Sequence, residues 1–350
     1  MRQGTVKGML RRTALWVVVL ALAAGLASQA AAQAPVRLTV YTALENDQLG
    51  PYKAAFEADN PGIVIDWVRD STGVVTARLL AERANPRADV IWGLAATSMI
   101  IFEEHNMLEP YTPRGAEALK PQFRSPRTPM TWTGMDAWLS VICFNTREAV
   151  RRNIRQPKSW KDLLNPIYKD QISMPNPNSS GTGFLTIAAW LQLFGEDEAW
   201  KFMDQLHTNV AFYTHSGSAP CVRAARGEHA LGIGFDMRGA RLKQEGAPID
   251  VILPREGAGW DMEATAIHRG TRNLAAARRL ADWSVSRKAN EMYNEWYAIV
   301  ALPGVANIPP FYPPDGEAKM IKNDFGWMAK NRDRILREWG RRFESGKRTI

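Results

Sequence analysis

VRLTVYTALENDQLGPYKAAFEADNPGIVIDWVRD, Val36 to Asp70, reads as strand, helix, strand. Val36 to Tyr41 is β-rich and extended. Leu49, Tyr52 and Phe56 recur at helical spacing and are stopped by Asn60-Pro61-Gly62, and Ile63 to Val68 is a second strand. The alternation continues outward. Leu79 and Leu80 fall in a helix, and Asp89 to Gly93 is a short buried strand. A second set starts near Asp136, with strands expected at Trp138–Phe144, Gln171–Met174, Ala211–Tyr213, Leu231–Phe235, Ile249–Leu253 and Ala264–Ile267. Helices are expected to open at Trp160–Leu164 and to cover Cys221–Arg226. Such alternation predicts an α/β fold with parallel strands, whose ligands lie beyond the carboxyl ends of the strands. The loops after Tyr41, Val68 and Trp92 therefore draw attention.

Asn178-Ser179-Ser180-Gly181-Thr182-Gly183 directly precedes an apolar series, Phe184, Ile187, Leu191 and Phe194, that marks one helix face. The first turn of a helix leaves backbone N–H groups without partners and carries partial positive charge. Hydroxyls and glycines there suit a phosphate-like anion. Plain N-capping by Ser180 or Thr182 is the competing reading.

Arg2, Lys7, Arg11 and Arg12 precede an uncharged apolar run from Ala14 to Ala27, followed by Ala30-Ala31-Ala32. This layout predicts a cleaved secretory signal over residues 1–32, since the run is shorter than the ~20 residues of a spanning helix. Removing 32 of the 350 residues leaves 318, which suits two domains. The formal charge of +8 includes four basic residues of the signal, so the mature chain carries only +4. That balance, without interleaved basic and aromatic residues, gives no nucleic-acid groove. The basic tail of Arg337, Arg341, Arg342, Lys347 and Arg348, with Leu336, Trp339 and Phe343, reads as an amphipathic helix with a solvated face. Cys143 and Cys221 either form a disulfide, as an oxidising compartment favours, or stay buried thiols.

The sequence carries no nucleophile elbow, no phosphate-binding G-K-[ST] loop, no H-E-x-x-H and no complete dinucleotide fingerprint. The five histidines are scattered, so no metal and no cofactor are expected. Binding chemistry instead gathers at strand ends. Hydroxyls stand at Thr42, Ser71, Thr72, Thr97, Ser98, Ser179, Ser180, Thr182, Ser216 and Ser218, carboxylates at Glu45, Asp236, Asp261 and Glu263, and aromatics at Tyr41, Trp92, Tyr213 and Trp260. Two lobes without a loose linker imply several crossings between them, hence a hinge and a cleft.

YTALEND (Tyr41 to Asp47), WVRDSTG (Trp67 to Gly73), ADVIWGLAATS (Ala88 to Ser98), MPNPNSSGTGF (Met174 to Phe184), YTHSGS (Tyr213 to Ser218) and PREGAGWDMEATAI (Pro254 to Ile267) together resemble periplasmic 2-aminoethylphosphonate-binding proteins of ABC importers. The wider class is the type II periplasmic binding protein fold, shared with ferric-ion-binding and spermidine/putrescine-binding proteins. The resemblance implies a two-lobed α/β fold with a hinge and an interlobe ligand cleft. Its lobes would comprise residues 33–135 with 255–310 and residues 136–254 with 311–350. It also implies a periplasmic monomer that captures 2-aminoethylphosphonate and hands it to an inner-membrane permease, without catalysis. Ser180, Thr182 and Ser216, with backbone amides of Ser179 to Thr182 including Gly181, would hold the phosphonate. Glu263 or Asp236 would pair with the ammonium, with Tyr41 or Tyr213 over the carbon link; Thr42, Glu45, Thr97 and Trp260 complete the expected site. Matched to polyamine binders, Glu263 falls at their ammonium-binding aspartate, and Asp261 falls where they carry a tryptophan. Ferric-ion binders place adjacent tyrosines where Asp236-Met237 stands, which argues against iron. A polyamine or a phosphate ester is the alternative ligand, and an exported hydrolase of phosphorus compounds the alternative class.

Overall fold

The computed structural model describes residues 34–305, 307–344 and 349. The expected signal segment, and Lys347 and Arg348 of the basic tail, lie outside them. In chain order the elements are β1 (Val36–Thr42), α1 (Asn46–Asp59), β2 (Ile63–Arg69), α2 (Thr72–Ala81), β3 (Val90–Ala95), α3 (Ala96–Glu104), β4 (Thr133–Asn145), α4 (Thr146–Arg152), β5 (Ile172–Pro175), α5 (Gly181–Phe194) and α6 (Glu196–His207). Then come β6 (Val210–Thr214), α7 (Ala219–Ala225), β7 (Leu231–Phe235), α8 (Asp236–Gln244), β8 (Ile249–Ile252), β9 (Trp260–Ile267), α9 (Leu274–Ser284), α10 (Arg287–Asn294), β10 (Ile299–Val300) and α11 (Phe325–Phe343). None of the described helices is long and apolar enough to cross a membrane.

The strands join in the order β2-β1-β3-β9-β4-β7-β5-β6, with β8 and β10 also paired to β4. β1 is parallel to β2 and β3, and β5 is parallel to β6 and β7. The sheet is nevertheless mixed, because β9 is antiparallel to both β3 and β4, and β4 is antiparallel to β7. This corrects the parallel sheet expected from alternation. Parallel pairing needs a helical crossover, and β4 and β9 instead carry the chain from one half of the molecule to the other. Residues Thr133 to Leu139 of β4 pair with β9, whereas Ser140 to Asn145 pair with β7 and β8. All thirteen residues of β4 are buried, so its burial does not alternate between two faces.

Each half is cored by aromatic side chains. Trp92 of β3 lies 5.8 Å from Tyr52, 5.3 Å from Trp67 and 5.6 Å from Trp283, ring centre to ring centre. In the other half, Trp190 of α5 packs edge-on against Trp160 and Phe202. Truncating such a residue to alanine typically costs about 3–5 kcal/mol. Trp160 caps a short 3-10 helix, Lys161–Leu164, where a helix is expected to open. Its indole N–H donates to the Gly257 carbonyl and its backbone N–H to Glu256, so tertiary contacts fix the segment. The amphipathic tail is α11, which buries Ile335, Leu336, Trp339 and Phe343. Cys143 of β4 and Cys221 of α7 are joined in a disulfide, with their Cα atoms 5.3 Å apart.

Candidate ligand-binding cleft

Two helix N-termini meet where the halves face each other. Ser180 is the N-cap of α5, in an extended conformation, and its Oγ accepts from the Gly183 N–H at 3.2 Å. Ser71 caps α2 from the other half without a side-chain hydrogen bond to that helix. A Cβ on Gly181 would lie 2.6 Å from Thr72 Oγ1, and one on Gly217 would strike the Thr182 side chain. Only hydrogen fits at these two positions, which brings Thr72, Thr182 and Ser216 around one space. The cavity they share has a volume of about 40 Å³. Arg69, at the end of β2, also lines it and donates from Nε to the Leu44 carbonyl at 2.9 Å. Backbone amides of two helix starts, hydroxyls and one guanidinium make this end a receptor for a multiply charged oxyanion.

The opposite wall is acidic. Glu263 of β9 lines the cavity, and its Oε1 accepts from the Tyr297 hydroxyl at 3.3 Å while Oε2 is buried without a hydrogen-bond partner. Directly across the strand pair stands Asp136, fully buried, with neither carboxylate oxygen partnered. Burial pushes both acids well above the usual carboxylate range, and the charge of Glu263 raises Asp136 further. Tyr297 and Arg69 pull Glu263 the other way, and Glu45 adds to the upward push. Trp138 and Phe235 supply the apolar part of the lining.

Polar contacts bridge the halves around the cleft. The Gly73 N–H donates to the Ser179 carbonyl at 2.9 Å, and His215 Nε2 lies 3.0 Å from Asp70 Oδ1. Arg238 of α8 reaches Glu45 at 3.1 Å and Asp47 at 3.2 Å, with a nearly buried side chain. The halves are therefore closed on each other.

Of the residues expected from the sequence, Glu45, Ser180, Gly181, Thr182, Ser216 and Glu263 line this cavity together. Tyr41 does not; strand alternation turns it to the other face of the sheet, where its hydroxyl donates to Glu82 at 2.7 Å. Tyr213 is a core residue, bonded to His207 Nδ1 at 2.7 Å and edge-on to Trp339. Trp260 donates to the Ile321 carbonyl and packs on Phe325, away from the cavity. The Thr42 hydroxyl accepts from the Leu44 N–H, and Thr97 donates to Asp261 at 2.7 Å. Ser179 donates to the His215 carbonyl. Asp236 is spent on the backbone N–H groups of Leu139 and Met237. These polar residues hold the loops and do not face the cavity.

Arg69, Gly217, Trp138, Tyr297 and the Asp136 behind Glu263 escaped the sequence reading of the site. Arg69 directly follows the second strand, so its loop position was a usable signal. Tyr297 and Asp136 sit in no motif, and only the folding of β4 and β9 against each other brings Asp136 to Glu263. Among the described residues no group of three or more His, Cys, Asp and Glu is arranged to hold a metal ion.

The family model described as bacterial extracellular solute-binding protein matches residues 85–326. An uncharacterized protein of Haemophilus influenzae is 31% identical over 326 residues, covering 91% of this chain and 94% of that protein. A Salmonella typhi periplasmic protein whose name assigns it to 2-aminoethylphosphonate binding is 28% identical, over 49% of each chain. Among solved structures, the periplasmic binding protein AfuA of Actinobacillus pleuropneumoniae, with exogenous fructose-6-phosphate bound, superposes with a TM-score of 0.82. It is 29% identical, and the match covers 88% of this chain and 98% of that one.

Proposed function

The chain belongs to the bacterial extracellular solute-binding protein family, and from that membership we propose that it captures a small organic phosphate or phosphonate for an ABC importer in the cell envelope. The observation that carries this reading is the convergence of the α2 and α5 N-termini, Arg69 and the Ser216-Gly217 turn on one cavity. A dianionic head would take charge-assisted hydrogen bonds from Thr72, Ser180, Thr182, Ser216 and Arg69, each contributing roughly 1.5–3 kcal/mol. A few such bonds supply the ~8 kcal/mol of micromolar affinity.

The tail of the ligand would face Glu263 and Tyr297. An acid wall held largely protonated donates to and accepts from hydroxyls, and this favours a phosphate ester of a small polyol or sugar. The fructose-6-phosphate bound by AfuA supports the same choice. The unpartnered oxygen of Glu263 favours a second reading, 2-aminoethylphosphonate, whose ammonium would seek a carboxylate. In both cases residues 33–135 with 255–310 would rock against 136–254 with 311–350, and the closed form would be presented to the permease. Neither reading involves turnover of the ligand.

Calorimetric titration of the purified protein with glucose 6-phosphate, 2-aminoethylphosphonate, inorganic phosphate, spermidine and ferric citrate tests the proposal. Binding of one of the first two in preference to the last three is the expected result. Saturable spermidine or ferric binding without any phosphorylated ligand would remove it. A phosphatase assay with added divalent metals should give no product; release of phosphate would move the protein to the hydrolases.

A further inference from the structure

Behind the cavity wall lies a buried acidic pair that an anion receptor does not need. Asp136 of β4 and Glu263 of β9 are directly opposed in an antiparallel pair, so their side chains share one face of the sheet. Asp136 is fully buried and both its oxygens lack partners; Glu263 keeps one oxygen unpartnered and its other wall open to the cavity. From α1, the Tyr52 hydroxyl and the Gln48 amide nitrogen are also buried without partners. Burial first, and then the charges of Asp136 and Glu263, hold the Tyr52 phenol protonated. Two carboxylates cannot both stay ionised at such a spot, and a lone buried pair normally keeps one proton between them.

We propose that Asp136 and Glu263 share a proton in the empty protein and act as a sensor of the ligand's tail, keeping that proton for a hydroxylated tail and releasing it for an ammonium. Asp136 touches no ligand and works as a positioning residue through Glu263. A hydroxyl is neutral, so it exchanges hydrogen bonds with the protonated pair. An ammonium favours the ionised carboxylate, and the displaced proton leaves to solvent, so charge at the pair is conserved. Selection between the two tails then depends on pH. Glu45 from the α1 start opposes ionisation of Glu263, and Arg69 from β2 and the Tyr297 hydroxyl favour it. Asp236 from α8 opposes ionisation of Asp136. The phenols of Tyr52 from α1 and Tyr293 from α10 stay protonated because burial and these acids hold them neutral.

This inference rests on the phosphorylated-ligand reading for its binding arm, but its first arm needs no ligand. Carbon-13 NMR of side-chain carboxyls, with Glu263→Gln to assign the signal, follows the Glu263 titration in the empty protein. Wild type should titrate well above the ordinary glutamate value of about 4.3, and Asp136→Asn should bring the midpoint down. An ordinary midpoint in wild type, or one indifferent to Asp136→Asn, overturns the shared proton. The second arm is calorimetry at pH 7 in buffers of different ionisation heat. 2-Aminoethylphosphonate should release close to one proton from wild type and close to none from Glu263→Gln, with glucose 6-phosphate releasing close to none from either. Equal proton counts for the two ligands would overturn the sensing role. If neither compound binds, the ligand reading fails while the NMR arm still decides the pair. Should Asp136→Asn fail to fold, the Asp136 midpoint followed in the same way should fall in Glu263→Gln, and an unchanged Asp136 midpoint overturns the shared proton.

Discussion

Thr182 and Ser180 stand two residues apart on α5 and carry different burdens. Ser180 is both cavity wall and helix cap, so Ser180→Ala should weaken phosphate-ligand binding and also cost about 1 kcal/mol of stability. The Thr182 hydroxyl makes no hydrogen bond among the described residues. Thr182→Val should therefore leave the unfolding midpoint near wild type and lower affinity roughly 10- to 100-fold by calorimetry. Lys201→Ala, which breaks only an exposed ion pair, should change neither. Asp236 and Asp261 belong to the same scale. Both are buried carboxyls pushed up to about 7 by desolvation, against the hydrogen bonds they accept. Their folded values exceed the unfolded value near 4, so the native state holds protons that the unfolded chain has lost. Stability should fall as pH rises from about 4 to 7, by roughly 1 kcal/mol per unit for each group, and level off above. Asp261→Asn, whose carbonyl still accepts from Met262, should flatten part of that slope in urea unfolding from pH 5 to 8; an unchanged slope would show that Asp261 ionises freely.

At the level of elements, the disulfide ties β4 to α7 across a sequence separation of 78. The chain-entropy account gives about 4–5 kcal/mol for such a loop. The double variant Cys143→Ser, Cys221→Ser should lower the denaturant midpoint accordingly with the ligand affinity little changed, because neither sulfur reaches the cavity. Most elements are legible in the sequence because their patterns are local. Val36–Thr42, Leu231–Phe235 and the α5 stripe of Phe184, Ile187 and Leu191 are set by side-chain period and by the glycines and prolines that end them. The short helix at Lys161–Leu164 is legible in place but not in length, since the Trp160 N–H is tied to Glu256 from outside its own sequence. β4 runs five residues earlier than its apolar pattern suggests, at Thr133 and not Trp138, because its first part is paired by β9.

For the whole molecule, closure is the property that matters, and Arg238 is its main electrostatic tie. Its side chain is 11% exposed and spans from α8 to Glu45 and Asp47 at the start of α1. Truncating one partner of a nearly buried charge pair costs about 2 kcal/mol or more. Arg238→Ala should therefore shift the empty protein toward an open form by more than tenfold, seen as a larger radius of gyration in small-angle scattering and reversed by saturating ligand. An identical radius would mean that the Gly73–Ser179 and Asp70–His215 contacts hold the halves by themselves. By itself the sequence determined the α/β class, the two-part build and the loop at Ser180 to Thr182, because hydrophobic period and helix-start chemistry are written within a few consecutive residues. Only the tertiary structure decided which of the polar residues face the cavity, turning Tyr41, Tyr213 and Trp260 away and bringing in Arg69, Tyr297 and Asp136. The reason is physical: strand register and the approach of two halves set side-chain direction, and both depend on pairings between residues distant in sequence, such as Tyr41 with Ile91 and Asp136 with Glu263.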